Sequence, residues 1–131
     1  MHMNVATAAV GALGTMLLVS CAAADLAEGV RFHKGNDYIS AASAFERAAA
    51  SGNTRALRRL GLMYYRGEGV AQDTNRAVAL FERAAAAGDE ESASNLARMY
   101  EFGMGVEQSD RRAAEWYLRA AEWQSAHKAR H

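Results

Sequence analysis

The chain has 131 residues, enough for one small domain, and its 15 basic and 15 acidic side chains leave no net charge. Because phosphate binding needs an excess of basic side chains, this balance argues against a nucleic-acid partner. Proline is absent and alanine makes up about a quarter of the residues. Alanine has the highest helix propensity and proline the lowest, so the composition predicts an all-α protein.

The first 20 residues contain no lysine, arginine, aspartate or glutamate. The uncharged stretch from Val5 to Ala24 is long enough to span a membrane, but it is rich in glycine, alanine and threonine, and only residues 16–19 are strongly apolar. It therefore fits the apolar region of a signal peptide better than a permanent span. Residues 1–20 are predicted to be a signal peptide, although the start, Met1-His2-Met3-Asn4, lacks the usual basic residues.

The end of this stretch, Leu18-Val19-Ser20-Cys21, resembles the lipobox of bacterial lipoproteins. In such signals a peptidase cleaves before the cysteine, and the cysteine thiol receives a diacylglycerol. The small Ser20 suits a narrow protease subsite, and Cys21 is the only cysteine in the chain. The resemblance implies a lipidated Cys21 and a short linker over residues 21–25. By lipoprotein sorting rules, Ala22 favours the outer membrane, facing the periplasm. An uncleaved N-terminal membrane helix is the alternative.

An internal repeat with a period of 36 residues organises the rest of the chain. The segment 60–64 returns at 96–100, and the Gly-x-Gly-Val run at 67–70 returns at 103–106. Each unit has the pattern of two helices, so the sequence predicts a solenoid of about three helix hairpins. The predicted units span residues 26–55, 56–91 and 92–127, with a tail at 128–131. The first unit has a loop four residues shorter and is closer to a tetratricopeptide unit.

In the middle unit, helix A is predicted from Thr54 to Arg66 and helix B from Thr74 to Ala87. Gly61 is small, which allows a second helix to approach closely. The Gly-x-Gly-Val loops need residues that tolerate positive φ. Left-handed residues are favoured after helix B, where Gly52 and Gly88 stand. Five residues at equivalent helix starts are predicted N-caps: Asp37, Asn53, Asp73, Asp89 and Ser109.

These units resemble the Sel-one-like repeat (SLR) family, a 36-residue relative of the tetratricopeptide repeat. The resemblance covers about residues 25–124 and is closest in the middle unit, at Leu60-Gly61-x-Met63-Tyr64 and Gly67-x-Gly69-Val70-x-Gln72-Asp73. It implies a right-handed superhelix of helix pairs that serves as a non-catalytic adaptor or scaffold. A cysteine-rich subgroup with a cysteine pair in each repeat has been linked to penicillin binding. This chain lacks those cysteines, so that activity is not carried over.

By resemblance to tetratricopeptide grooves, the inward positions of the A helices form a concave surface that binds another protein or peptide. Arginine and aromatic side chains are enriched among interface hot spots. Arg58, Arg66 and Arg98 suit a carboxylate-bearing segment, and a solvated face with ordinary charges is the alternative. The predicted groove residues are His33, Lys34, Arg58, Leu62, Tyr65, Arg66, Arg98, Glu101 and Phe102.

The end of the chain carries two indole side chains seven residues apart, Trp116 and Trp123. Internal repeats cover this helix face with the next hairpin. The two side chains are therefore predicted either to fold back over the last repeat or to form an exposed apolar end. Such an end suits a partner or self-association with a second copy.

No catalytic site, cofactor or metal centre is predicted. The Gly-x-Gly-Val loops lack the Gly-Lys-Ser/Thr of phosphate loops, and no strand pattern precedes them. His127 and His131 have the i, i+4 spacing of a metal pair, but they lie in the tail without a third ligand. The predicted function is a non-catalytic scaffold at the bacterial cell envelope. A membrane-anchored regulatory subunit and a cell-wall or penicillin-interacting hydrolase are the rivals.

Overall fold

The computed structural model describes residues 21–130, which form six α-helices and no strand. Helix α1 runs through residues 21–34, and the others are α2 (Tyr38–Ala50), α3 (Thr54–Arg66), α4 (Thr74–Ala86), α5 (Glu90–Phe102) and α6 (Asp110–Ala129). From α2 onward each helix packs against the next in sequence. The predicted all-α solenoid of helix hairpins is confirmed. The predicted signal peptide and His131 lie outside the described residues.

The helices begin where the predicted capping side chains stand. In all five cases the side chain accepts a hydrogen bond from the backbone N–H three residues later, at 3.0–3.2 Å. Each such bond satisfies a donor that the helix leaves unpaired and stabilises the helix by about 1 kcal/mol. Helix A of the middle unit has the predicted bounds, and its helix B ends at Ala86, one residue earlier than predicted.

The predicted linker and most of the predicted tail lie in helices. Residues 21–25, predicted to be a linker, are helical and belong to α1. The alanines at 22–24 favour a helix, and Asp25 accepts a hydrogen bond from Arg47 Nε at 3.2 Å. The predicted tail at 128–131 is also helical as far as Ala129, since no glycine or proline interrupts α6. The second and third units begin at Thr54 and Glu90, two residues before the predicted 56 and 92.

The core lies between the helices of successive hairpins, which are α1–α2, α3–α4 and α5–α6. In the first two hairpins a phenylalanine of helix B covers a glycine of helix A. A Cβ at Gly29 would lie 2.5 Å from the Phe45 ring, and one at Gly61 would lie 2.8 Å from the Phe81 ring. The predicted close approach at Gly61 is therefore made by a buried ring. No helix between residues 21 and 130 is long and apolar enough to cross a membrane.

The Gly-x-Gly-Val loops join one hairpin to the one before it. A Cβ at Gly69 would overlap the Tyr38 carbonyl at the start of α2, and one at Gly105 would lie 2.8 Å from the Thr74 carbonyl oxygen at the start of α4. Both glycines have φ of 71°, in the left-handed region. Each loop therefore packs on the first turn of the preceding helix B through a backbone contact that only glycine permits.

Candidate partner-binding groove

A groove of about 320 Å³ runs between α3 and α5, on the side where the second hairpin meets the third. Its floor is apolar and its rim carries two guanidinium groups. Five of the nine predicted groove residues line it: Leu62, Tyr65, Arg66, Arg98 and Phe102. They converge because positions 62, 65 and 66 share one face of α3, and positions 98 and 102 share one face of α5.

The apolar part of this groove extends to its outer edge. The Phe102 side chain is 67% exposed although it is a large hydrophobic group. On the opposite side the Tyr65 hydroxyl donates to the Met104 sulfur at 3.3 Å, so the phenol and the thioether form one wall. An exposed phenylalanine beside a recessed apolar wall gains free energy when another apolar side chain covers it.

The charged part is positive. Arg98 Nη2 donates to the Asn95 side-chain oxygen at 2.6 Å, which orients the guanidinium over the third hairpin. Arg66 Nη1 lies 3.7 Å from Glu68 Oε1, and the Arg66 side chain is 56% exposed. Both arginines keep donors available at the surface, because each uses a single polar contact of the five donors that a guanidinium carries.

Four lining residues of this groove were not among the predicted groove residues: Phe81, Asn95, Met99 and Met104. Asn95 lies on α5 one helical turn before Arg98, and that spacing was the available signal. Met104 comes from the loop after α5, between the two glycines. Its direction depends on the left-handed residues around it, which the spacing of helix positions does not reveal.

Arg58 was predicted to line the groove and does not. It donates to Asp89 at 2.9 Å and forms an ion pair with Glu91. The Arg58 and Asp89 side chains are mostly buried, and Asp89 also caps α5. The guanidinium therefore already holds carboxylates of its own chain and ties α3 to the start of α5.

The other predicted groove residues lie elsewhere. His33 is at the junction of the first and second hairpins, with Nε2 3.9 Å from Glu68 Oε1 and its ring 5.0 Å from that of Tyr38. Lys34 is exposed at the end of α1. Glu101 accepts a hydrogen bond at 2.9 Å from the Tyr117 hydroxyl and so faces α6.

Trp116 and Trp123 are half-buried against the core between the second and third hairpins. Arg119 stacks over the Trp116 ring at 4.9 Å. The indoles thus fold back over the last repeat, the first of the two predicted arrangements. The large exposed hydrophobic side chains of α6 are Tyr117 and Leu118 instead.

A tyrosine of helix A and an arginine of helix B form a repeated pair within the second and third hairpins. Arg76 stacks over the Tyr64 ring at 4.7 Å, and Arg112 over the Tyr100 ring at 5.6 Å. Burial and the hydrogen bond from the Tyr64 hydroxyl to Glu46 raise the pKa of Tyr64 above its ordinary value. The stacked pairs join the two helices of a hairpin, and the bond from Tyr64 to Glu46 joins the second hairpin to the first. Between residues 21 and 130 no three histidine, cysteine, aspartate or glutamate side chains cluster in a way that would hold a metal ion.

Comparison with known proteins gives the groove its context. The family model of the Sel1 repeat matches residues 54–89 and 90–122. A protective antigen of uropathogenic Escherichia coli strains with an SLR fold is 40% identical, with a TM-score of 0.75, over 77% of this chain and 22% of that protein. A Sel1 repeat protein from Oxalobacter formigenes is 33% identical, with a TM-score of 0.74, over 77% of this chain and 80% of that one.

A more distant structure is similar in fold alone. Cysteine-rich protein B of Helicobacter pylori is 20% identical, with a TM-score of 0.61, over 63% of this chain and 62% of that one. No curated protein matches the chain. The alignments agree with the helix hairpins described above.

Proposed function

Because the chain belongs to the Sel1 repeat family, whose members are generally protein-interaction modules, we propose that it binds a short segment of a partner protein in the groove between α3 and α5. The observation that carries this proposal is the juxtaposition there of an apolar floor, the exposed Phe102 and two arginines. The chain acts as a non-catalytic scaffold in this proposal.

The chemistry of the groove defines the segment. An apolar side chain fits between Leu62, Tyr65 and Phe102, where it covers surface that is otherwise in water. Carboxylates beside it pair with Arg66 and Arg98, because guanidinium groups form forked hydrogen bonds with carboxylates. The bound segment therefore carries one large apolar residue flanked by acidic residues. A segment with flanking lysines meets two like charges and is rejected.

Fluorescence anisotropy with a labelled peptide tests this proposal. The probe has a central leucine between two glutamates, and the comparison peptide has lysines in place of the glutamates. Phe102→Ala and Arg98→Glu are each expected to weaken binding of the acidic probe by about tenfold. Arg55→Glu is the matched control, since it makes the same charge change on the exposed side of α3 outside the groove. Equal affinity for both peptides, or equal loss in the control, would contradict the proposal.

We also infer that the chain is tethered to the bacterial envelope through a lipid on Cys21, at the outer membrane facing the periplasm. Support comes from the lipobox-like sequence before Cys21 and from the exposure of this side chain on the first described residue of α1. Labelling of growing cells with an alkyne fatty acid is expected to mark the wild type and leave Cys21→Ser unmarked. A labelled variant, or a mature protein that retains Met1, would contradict the inference.

A further inference from the structure

The outer face of α6 corresponds to a face that, in the second hairpin, is covered by the next hairpin. In α4 the equivalent positions, Val78, Phe81 and Ala85, are buried and share a core cluster with residues of α5. Thirty-six residues later stand Ala114, Tyr117 and Ala121, and all three are exposed. Among the described residues no helix follows α6 on this side. The face therefore has the same residue positions as the face of α4 that packs against a further helix.

At one position α6 carries an apolar residue where the two earlier B helices carry a charged one. The position held by the exposed Glu46 in α2 and Glu82 in α4 is held by Leu118 in α6. Leu118 is 63% exposed and lies one helical turn from both Ala114 and Ala121. Leu118 therefore extends the exposed apolar face formed by Ala114, Tyr117 and Ala121, and a contiguous apolar patch is typical of an interaction surface.

A second copy cannot cover this face with its own α1. The positions that carry Leu57, Leu60 and Met63 in α3 carry Asp25, Glu28 and Arg31 in α1, counted at the 32-residue spacing that aligns Gly29 with Gly61. Burial of three charges against an apolar helix costs more than the contact contributes. Head-to-tail stacking of copies is therefore disfavoured.

The face of α6 is, however, complementary to itself. Six of its residues follow the 4-3-4-3-4 spacing of a two-helix seam: Asp110, Ala114, Tyr117, Ala121, Gln124 and Lys128. The seam begins with an acid and ends with a base, and both side chains are exposed. We propose that α6 pairs antiparallel with α6 of a second copy, in a dimer with twofold symmetry.

The antiparallel arrangement pairs opposite charges at the two ends of the seam and a large side chain with a small one near its centre. Asp110 of one copy faces Lys128 of the other at both ends, whereas a parallel arrangement would bring like charges together. Tyr117 lies over Ala121 of the second copy, so a ring again covers a small residue, as it does inside the first two hairpins. Leu118 meets Leu118 of the second copy beside the twofold axis. Asp110 also accepts a hydrogen bond from the Gln108 side chain at 2.6 Å, which holds its carboxylate at the start of the seam.

Sedimentation equilibrium of the full chain in a density-matched non-ionic detergent tests the dimer. The wild type is expected to approach twice the monomer mass as concentration rises. Leu118→Glu introduces the residue that α2 and α4 tolerate at this position, and it is expected to weaken association by about tenfold or more. Ile39→Glu is the matched control, since Ile39 is 76% exposed on α2, away from the face. Circular dichroism establishes that each variant remains folded.

A charge exchange tests the antiparallel direction. Asp110→Lys and Lys128→Asp are each expected to weaken association, and the double variant is expected to restore it, because only the antiparallel seam pairs these two positions. A monomer at every concentration, an equal loss in Ile39→Glu, or no restoration in the double variant overturns the proposal. The mass of Phe102→Ala is expected to equal that of the wild type. Failure of the dimer is therefore separable from failure of the groove.

Discussion

The two junctions between hairpins have the same backbone geometry and opposite chemistry. At the first, His33 faces Glu68; at the second, the equivalent residues are Tyr65 and Met104. The first junction encloses a carboxylate whose Oε1 is buried and has no hydrogen-bond partner among the described residues. The second is an apolar wall beside the groove. The repeat therefore fixes where the loop packs, and the residue between the two glycines makes the junction charged or apolar.

The largest loss of stability is expected from substitution of the glycines through which the loops pack on the preceding helix B. Gly69→Ala is expected to lower the free energy of unfolding by about 3 kcal/mol, because its Cβ adds an overlap with the Tyr38 carbonyl to the cost of a positive φ. Gly105→Ala, with a looser contact, is expected to cost about 2 kcal/mol. Urea unfolding measures both.

Gly52→Ala separates the cost of a positive φ from the cost of the overlap with the preceding helix. Gly52 has φ of 80° and nothing within 4 Å of a Cβ, so only the backbone cost of about 1 kcal/mol applies. Equal losses at positions 52, 69 and 105 would show that the loop contacts do not join the hairpins.

Each junction can be given the residue that the other carries between its two glycines. The two substitutions are expected to change stability in opposite directions. Met104→Glu buries a carboxylate against Tyr65, so we expect a loss of about 2 kcal/mol and loss of peptide binding in the groove. Glu68→Met removes the orphaned oxygen at the expense of weak ion pairs to His33 and Arg66, at 3.9 and 3.7 Å. We expect a gain of about 1 kcal/mol. Thermal unfolding at pH 7 measures both, and destabilisation by Glu68→Met would contradict the contrast between the junctions.

The smallest effect concerns Tyr64, whose hydroxyl donates to Glu46 at 2.9 Å across the first junction. Its pKa is raised in the folded state, so the folded protein retains the phenolic proton to higher pH than the unfolded chain. This contribution is complete below pH about 10, the ordinary tyrosine pKa, and is lost as pH rises through the folded value.

Tyr64→Phe removes this contribution, which at neutral pH is that of one hydrogen bond, about 1 kcal/mol. The difference in melting temperature between wild type and variant is expected to stay constant up to pH about 10 and to shrink as the pH rises further. A difference that stays constant would show that the Tyr64 hydroxyl is not linked to stability.

Local chemistry made much of the fold predictable. Asp73 caps its helix through a bond to a residue three positions later, and that relation is visible in the sequence. Arg58 lies outside the groove between α3 and α5 because its partners stand more than 30 residues away, at the start of the next helix A. Tyr117 departs from the pattern of Phe81 because Ala97 replaces the glycine that the ring would cover, and the tyrosine ring is 41% exposed. The positions of the Arg58 and Tyr117 side chains depend on packing between helices, which the periodicity of a single helix does not specify.

The packing of each loop on the hairpin before it also makes the addition of repeats to the array directional. A duplicated segment that begins with helix A and ends with helix B carries its own Gly-x-Gly-Val loop, so every new copy supplies the piece that fastens it to the existing one. Insertions within that loop would uncouple the copy, whereas the first hairpin, with no described hairpin before it, tolerates the short turn at residues 35–37. Selection on loop length should therefore be strict at every added repeat and relaxed at the first.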